Sequence, residues 1–192
     1  MGEGRAAAGP RRADARRNQA ALLEAAAAVF VTSGVEAPVR EIAARAGVGT
    51  ATIYRHFPAR ADLIVAVYRH QVEALVTAGP RLLDEAPTPY EALRRWIDQF
   101  VDFVITKQGL AAVLQSDDPC FDPLHAYFVE RLVPACRQLL DAAAASGEVV
   151  AGQDPYELMR GIGGLCAGGG RPGYDARHLA ALLISGLRHG AG

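Results

Sequence analysis

The chain has 192 residues, 51% of them hydrophobic, which is enough for a sizeable buried core in one compact unit or two small domains. Its three cysteines, Cys120, Cys136 and Cys166, are widely separated and odd in number, which argues against a disulfide framework or a zinc site and favours buried reduced thiols. No apolar run is long enough for a signal peptide or a bilayer span, so we expect a cytoplasmic protein with no membrane partner. The cysteines lack Cys/His ligand spacing, and we expect neither a metal nor a cofactor.

The formal net charge of -1 is unevenly distributed along the chain. Residues 1–70 carry ten arginines against six acidic residues, a balance of +4, whereas residues 71–192 carry ten basic and fifteen acidic residues, a balance of -5. A cationic first part favours a phosphate-bearing partner, although a difference of this size also arises from ordinary surface variation.

The first 13 residues are rich in Gly, Ala, Pro and Arg, and we expect them to form a disordered tail. Arginines in and just after this tail would follow DNA phosphates or enter a narrow minor groove, although a solubilising role is equally consistent with them: Arg11, Arg12, Arg16 and Arg17. The first helix is predicted from about Asp14 to Thr32, ending before Gly34.

Residues 39–57, VREIAARAGVGTATIYRHF, predict two short helices separated by a turn that contains glycine. Ile42, Ala43 and Ala46 share one face of the first helix, and Gly47 supplies the left-handed residue that ends it. Pro38 stands where a proline of the first helical turn is tolerated. This pattern is typical of a helix-turn-helix.

The second of these helices is polar, and we expect Thr50 to cap it with its hydroxyl group. Ile53 would point inward, whereas Thr52, Arg55 and His56 would lie on the outer surface. Hydroxyl groups, the phenol of Tyr54 and fixed cations suit a DNA groove, because they bind phosphates and base edges. The alternative is a surface turn of an unrelated helical protein.

A fourth helix is predicted from about Ala59 to Ala78, ending at Gly79 and Pro80, before a connection that reaches Pro89. An apolar stripe then predicts a further helix: Leu93, Trp96, Ile97, Phe100 and Val104. The next helix is expected from about Leu124 to Ser146, with Pro134 inside it as the source of a kink.

The segment 115–123, QSDDPCFDP, predicts a loop broken by proline at the border of a ligand pocket. The pocket would be lined by aromatic and polar side chains of the flanking helices: Trp96, Phe100, Phe103, His125, Tyr127, Phe128 and Arg131. Plain core packing is the alternative for each of them.

The last two helices are predicted from about Pro155 to Ala167 and from about Asp175 to Arg188. Small residues in them would allow close helix approach: Gly161, Gly164, Ala181 and Ser185. Apolar residues on more than one face favour dimerisation over packing within one chain, and the candidate interface residues are Leu158, Ile162, Leu165, Leu179, Leu182, Leu183 and Leu187.

The stretch Val39–Tyr68, which includes YRHFPARADLIVAVY, resembles the DNA-binding domain of the TetR (tetracycline repressor) family of bacterial transcriptional regulators. The opening helix is similar too, at Leu23, Ala26, Ala27, Phe30 and Gly34. The resemblance implies an all-α fold with an N-terminal three-helix helix-turn-helix domain at 14–58, a connecting helix at 59–79 and a C-terminal helical ligand-binding and dimerisation domain at 80–192. In that family the last two helices pair with their symmetry mates as a four-helix bundle.

The resemblance also implies roles for individual residues in the DNA-binding domain. Arg40 matches a position that contacts base or backbone, and Thr50, Ala51 and Thr52 match positions that contact bases. Positions that contact phosphates match Tyr54, His56 and Arg60, and Arg55 falls where the residue varies with the operator. Two departures are Arg60, where lysine is usual, and Pro38, where a capping threonine is common.

We therefore predict a ligand-responsive repressor that binds a palindromic operator in double-stranded DNA as a homodimer and is controlled by an unidentified small-molecule effector. The alternatives are a small-molecule-binding helical module or an all-α enzyme, each without DNA function. The sequence contains no GxSxG elbow, HExxH pair or Walker loop, so we do not expect an enzyme.

Overall fold

The computed structural model describes residues 8–109, 123–168 and 173–188. Within these ranges the chain forms eight helices and no strand, which confirms the predicted all-α class. We number them α1 (Ala8–Ser33), α2 (Val39–Ala46), α3 (Thr50–His56), α4 (Arg60–Glu85), α5 (Pro89–Gly109), α6 (Pro123–Ala145), α7 (Pro155–Ala167) and α8 (Ala176–Gly186).

The chain divides into two compact units, Met1–His70 and Gln71–Gly192. The division falls inside α4, within the segment 59–79 that the sequence predicts as a connecting helix. It also coincides with the change of charge balance along the sequence, so the first unit is the cationic one.

The expectation of a disordered tail up to residue 13 is wrong for its last six residues, because α1 begins at Ala8. Alanine and arginine are strong helix formers, and Pro10 lies in the first turn, where a missing N–H is not needed. Gly34, with φ of 78°, follows the end of α1 at Ser33.

The fourth helix does not end at Ala78 as predicted but continues through Gly79 and Pro80 to Glu85. An interior proline costs about 3 kcal/mol through a lost hydrogen bond and a steric clash. Packing offsets this cost, since Ala78 and Leu82 on either side are buried, and a Cβ built on Gly79 would lie 3.9 Å from a methyl group of Leu139 in α6.

In the first unit α1 packs against α2 and α2 packs against α3. The core formed there includes Phe30, Ile42, Ile53 and Phe57. Tyr68 of α4 is also buried, which raises the pKa of its hydroxyl group above the ordinary value.

In the second unit α5 packs against α6, α7 and α8. Trp96 of α5 is fully buried, and its indole N–H donates a hydrogen bond of 2.8 Å to the carbonyl oxygen of Leu75 in α4. Asp154 and Asp175 cap α7 and α8, since each carboxylate accepts a backbone N–H three residues ahead. Pro134 lies inside α6, as predicted.

Cys136 and Cys166 are buried free thiols, which confirms the prediction for these two residues; Cys120 lies outside the described residues. Burial raises the pKa of Cys136 to about 12 and also raises that of Cys166. Among the helices described, none combines the length and the hydrophobicity needed to cross a membrane.

Candidate functional site

The turn between α2 and α3 depends on Gly47, whose φ of 67° lies in the left-handed region. The N–H of Gly47 donates to the carbonyl oxygen of Ala44 at 3.3 Å, and the N–H of Val48 donates to that of Ala43 at 3.0 Å. These two bonds form a Schellman motif. The predicted helix end at Gly47 is therefore confirmed. Pro38 occupies the position directly before α2 instead of its first turn, and α2 has no side-chain cap.

Helix α3 exposes most of its polar residues while one apolar residue holds it to the first unit. Ile53 is 1% exposed, whereas Tyr54 is 55% exposed. The other candidate DNA contacts on α3 are exposed or half-buried: Thr50, Ala51, Thr52, Arg55 and His56. Arg40, in the first turn of α2, is exposed as well.

Thr50 does not cap α3, contrary to the prediction. The position before the helix is Gly49, with φ of -77° and ψ of 149°, and α3 has no side-chain cap. The N–H of Thr52 instead donates to the carbonyl oxygen of Gly49 at 3.0 Å. As the first residue of α3, Thr50 keeps its side chain on the exposed surface.

Arg60, predicted to contact phosphate, lies at the start of α4 with its guanidinium group bonded inside the first unit. It donates hydrogen bonds to the carbonyl oxygens of Val35 and Ala37, in the connection between α1 and α2. The side chain is 29% exposed, and Glu36 lies 4.0 Å from its Nε. The guanidinium group of Arg60 is therefore bonded to backbone carbonyl oxygens, whereas Arg40 and Arg55 are exposed.

Five of the seven candidate pocket residues form a continuous aromatic cluster between α5 and α6. The ring centroids of Trp96 and Phe100 are 5.7 Å apart, those of Phe103 and Phe128 are 6.1 Å apart, and those of His125 and Phe128 are 6.2 Å apart. The three rings of α5 are buried, Phe128 is half-buried and His125 is exposed. The buried rings of the cluster belong to the core, and its exposed ring lies on the surface. That these residues line a ligand pocket stays a prediction.

The other two candidate pocket residues, Tyr127 and Arg131, bind the same carboxylate. Arg131 donates two hydrogen bonds of 2.7 Å to Glu73 of α4, and the Tyr127 hydroxyl donates one of 2.6 Å. The guanidinium group of Arg131 and then the Tyr127 hydroxyl hold the pKa of Glu73 below its ordinary value. The loop predicted at 115–123 lies outside the described residues except for Pro123, where α6 begins.

This arrangement predicts a pH-dependent contribution of Glu73 to stability. Because the folded-state pKa is lowered, the contribution is present above the ordinary carboxyl pKa of 4.5 and is lost as pH falls through the lowered value. Glu73→Gln is therefore expected to lower the free energy of unfolding at pH 7 and to match the wild type at the lowest pH at which both fold. Urea unfolding between pH 7 and pH 3 measures this. Glu130→Gln, on the exposed surface of α6, is the control, and a constant difference at all pH values would contradict the prediction.

The candidate dimer residues separate into buried and exposed sets. Leu158 and Ile162 of α7 are buried within the chain, at 7% and 0% exposure, so their side chains are core and do not offer an interface surface. Leu182 and Leu183 of α8 are 54% and 39% exposed. The remaining three, Leu165, Leu179 and Leu187, are half-buried.

Small residues are also exposed on α7 and α8, and one of them lies close to Leu183. Gly161, Gly164, Ala181 and Ser185 are all exposed, and a Cβ built on Gly161 would lie 3.8 Å from Leu183. The exposed surface of this helix pair therefore includes two leucines and four small residues.

Two family models match the chain over most of its length. The model described as "Bacterial regulatory proteins, tetR family" matches residues 22–67, and the model of the "Transcriptional regulator SbtR-like, C-terminal domain" matches residues 88–189. The chain belongs to the TetR family. This confirms the resemblance drawn from residues 39–68 and extends it to the second unit.

Solved structures and curated relatives agree with membership of the TetR family. A TetR transcriptional regulator from Streptomyces coelicolor is 36% identical, with a TM-score of 0.78 over 90% of this chain and 99% of that one. A TetR transcription regulatory protein from Mycobacterium vanbaalenii is 32% identical, with a TM-score of 0.67 over 94% of this chain and 100% of that one. The HTH-type transcriptional activator FasR of Mycolicibacterium smegmatis is 37% identical over 123 residues, 60% of this chain and 55% of FasR. The chain spans about half the length of the curated relatives it matches.

Two features of this TetR-family chain are missed when the sequence is considered alone. Glu73, which joins Tyr127 and Arg131, lies 54 or more residues from both, and no local pattern marks it. The partners of Arg60 lie more than 20 residues before it in the chain. Within the described residues no three His, Cys, Asp or Glu side chains are grouped as metal ligands.

Proposed function

We propose that this protein is a cytoplasmic transcriptional regulator without enzymatic activity that binds double-stranded DNA through α3. The observation that carries the proposal is the exposed polar surface of α3, held from behind by the buried side chain of Ile53. A helix presented in this way fits the major groove, which is wide enough to admit an α-helix. The +4 charge balance of residues 1–70 supports it, because cations attract phosphate.

The proposed contacts follow from the chemistry of the exposed side chains. Thr50, Ala51 and Thr52 lie at the start of α3 and would contact base edges. The exposed fixed cation of Arg55 would lie against a phosphate. Tyr54 and His56 would bind phosphate oxygens. Arg40, on α2, would contact base or backbone.

We further propose that the protein acts as a homodimer through the outer surface of α7 and α8. A two-fold dimer presents two copies of α3, and a palindromic operator presents two half-sites about 34 to 36 Å apart, or somewhat more. The exposed Leu182 and Leu183, with the small residues exposed on the same two helices, supply an apolar surface for a second copy of the chain.

The proposed regulator responds to a small molecule bound in the second unit. The aromatic cluster of α5 and α6 suits an apolar or aromatic molecule, and Tyr127 and Arg131 add polar groups near it. A ligand that prefers one conformation changes operator affinity by its differential affinity, typically about 1 to 3 kcal/mol. We propose that the protein represses transcription and that the ligand relieves this repression. The relative FasR is named an activator. A reporter gene fused to the selected operator measures whether this protein represses or activates.

Selection of bound sequences from random double-stranded DNA tests the proposed function. We expect enrichment of a palindrome whose half-sites match the spacing of the two α3 helices. Absence of enrichment at low salt, with a folded protein, would overturn DNA binding and leave a helical ligand-binding module. Titration of small molecules into the complex with the selected duplex then tests the effector.

Arg55→Ala and Thr52→Ala are expected to change DNA binding in different ways. Because the Arg55 cation is proposed to lie against a phosphate, its loss should lower the dependence of log K on log salt by about 0.9 per contact, or about 1.8 for a dimer. Thr52→Ala should leave this slope unchanged and relax preference at one or two base pairs. Salt titrations on matched and scrambled duplexes measure both effects. Arg137→Ala, exposed on α6, is the control with an unchanged slope, and a change of slope in Thr52→Ala alone would reverse the two roles.

A further inference from the structure

Arg60 combines a fixed charge with neutral partners on the backbone. Its Nε donates to the carbonyl oxygen of Val35 at 2.6 Å, and its Nη2 donates to the carbonyl oxygens of both Val35 and Ala37. The planar guanidinium group carries its donors in a fixed fork, so one side chain can bind two neighbouring carbonyl groups at once. The carboxylate of Glu36, whose side chain is 83% exposed, lies 4.0 Å from the Nε of Arg60.

The two carbonyl groups belong to the connection between α1 and α2, which is short and irregular. Val35 and Ala37 are themselves buried, at 8% and 3% exposure. Backbone hydrogen bonds in the connection use the carbonyl oxygens of Phe30, Gly34 and Pro38, whereas those of Val35 and Ala37 accept from Arg60. Truncating Arg60 would leave these acceptors without that donor, and buried unpaired polar groups destabilise a fold.

The connection determines where α2 begins. Pro38 precedes α2 without a side-chain cap, so the start of the helix depends on the backbone before it. Arg60 itself is the first residue of α4, and only three residues separate α4 from α3. The start of α4 is fixed by Asp62, whose side chain accepts a hydrogen bond of 2.9 Å from the N–H of Ala59. Arg60 therefore joins the segment entering the helix-turn-helix to the segment leaving it.

We propose that Arg60 is a positioning residue, which fixes α2 and α3 for DNA binding by bonding the connection between α1 and α2 and does not contact phosphate. The inference rests on the proposed DNA-binding function. It replaces the phosphate role that the resemblance implies, because the guanidinium group is directed to backbone carbonyls of its own unit. The cations left for the nucleic acid are exposed ones such as Arg40 and Arg55.

The test compares Arg60→Ala and Arg60→Lys with Arg45→Ala, an exposed arginine of α2, in the full chain. Positioning predicts that Arg60→Ala lowers the melting temperature by about 5 °C or more and weakens binding of the selected duplex by about tenfold at a temperature where the variant is fully folded. The salt slope stays at the wild-type value. Arg60→Lys keeps the charge without the fork and does not restore affinity.

Amide chemical shifts supply a readout of the positioning itself. In the Arg60 variants we expect the largest changes from wild type in residues 35–41 and in α3, whereas Arg45→Ala should alter only its own neighbours. If Arg60→Ala does not fold, Arg60→Lys distinguishes the two roles through its melting temperature, its duplex affinity and its amide shifts, because a positioning role lowers the first two and a phosphate contact leaves them at the wild-type values.

A phosphate contact predicts the opposite set of results, which would overturn the proposal: a salt slope lowered by about 1.8 for the dimer in Arg60→Ala, an unchanged melting temperature and wild-type binding by Arg60→Lys. Failure of the proposed function is distinguishable, because the wild type would then enrich no DNA. If the wild type enriches no DNA, unchanged melting temperatures and amide shifts in the Arg60 variants would also show that Arg60 does not stabilise the connection between α1 and α2.

Discussion

Leu182→Glu combined with Leu183→Glu is expected to convert the protein from a dimer to a monomer and to weaken operator binding at least about 100-fold. Both side chains are exposed on α8, at 54% and 39%, and the replacements place two like charges in what we propose is an apolar interface between symmetry-related copies. A monomer contacts one half-site and loses the gain from holding the second. Sedimentation velocity and titration of the selected duplex measure the two effects.

The control for this double variant is Ile105→Glu, which puts one glutamate on an exposed apolar residue of α5. Circular dichroism establishes that the variants keep their helices. A double variant that stays dimeric and binds the operator like the wild type would show that α8 is not the interface, and it would leave DNA binding by α3 unaffected.

Ile53→Ala is expected to lower the free energy of unfolding of the first unit by about 2 to 5 kcal/mol and to abolish measurable operator binding. Ile53 is 1% exposed and is the buried side chain of the seven-residue α3, which is too short to be stable on its own. Without this contact α3 is not fixed in the position needed to enter the DNA major groove, even where the rest of the chain stays folded. Chemical denaturation and duplex titration give the two values.

Tyr54→Ala is the matched control, because Tyr54 is the next residue and is 55% exposed. It should change the free energy of unfolding by less than about 0.5 kcal/mol while weakening DNA binding through loss of the proposed phosphate contact. Equal losses of stability in Ile53→Ala and Tyr54→Ala would mean that Ile53 does not anchor α3.

The helix-turn-helix was predictable because its signals are local. Apolar residues at helical spacing, a glycine that must adopt a positive φ and a polar helix after it all fall within 19 residues. Gly47 and Ile53 behave as predicted, and the family models confirm the resemblance. The prediction that Thr50 caps α3 is wrong by one position, because the residue directly before the helix is Gly49 and Thr50 is the first helical residue.

The parts that sequence could not supply depend on contacts between distant residues. The end of α4 was misplaced because Gly79 and Pro80 are local helix breakers, whereas burial of Ala78 and Leu82 keeps the helix intact. Leu158 has the same residue type as Leu182, and Ile162 is likewise aliphatic, yet only packing by neighbouring helices decides which are core. The bonds of Arg60 to Val35 and of Glu73 to Arg131 likewise follow from the fold.

The glycines of α7 have a consequence for the lifetime of the protein in a cell. All three, at 161, 163 and 164, lie inside this 13-residue helix, and each makes it about 1 kcal/mol less stable than alanine would. If a second copy supplies the compensating contacts, the melting temperature rises with total protein concentration, as for any state stabilised by association. Sparse molecules would then unfold and be degraded faster than abundant ones, so that dilution during growth accelerates their own removal.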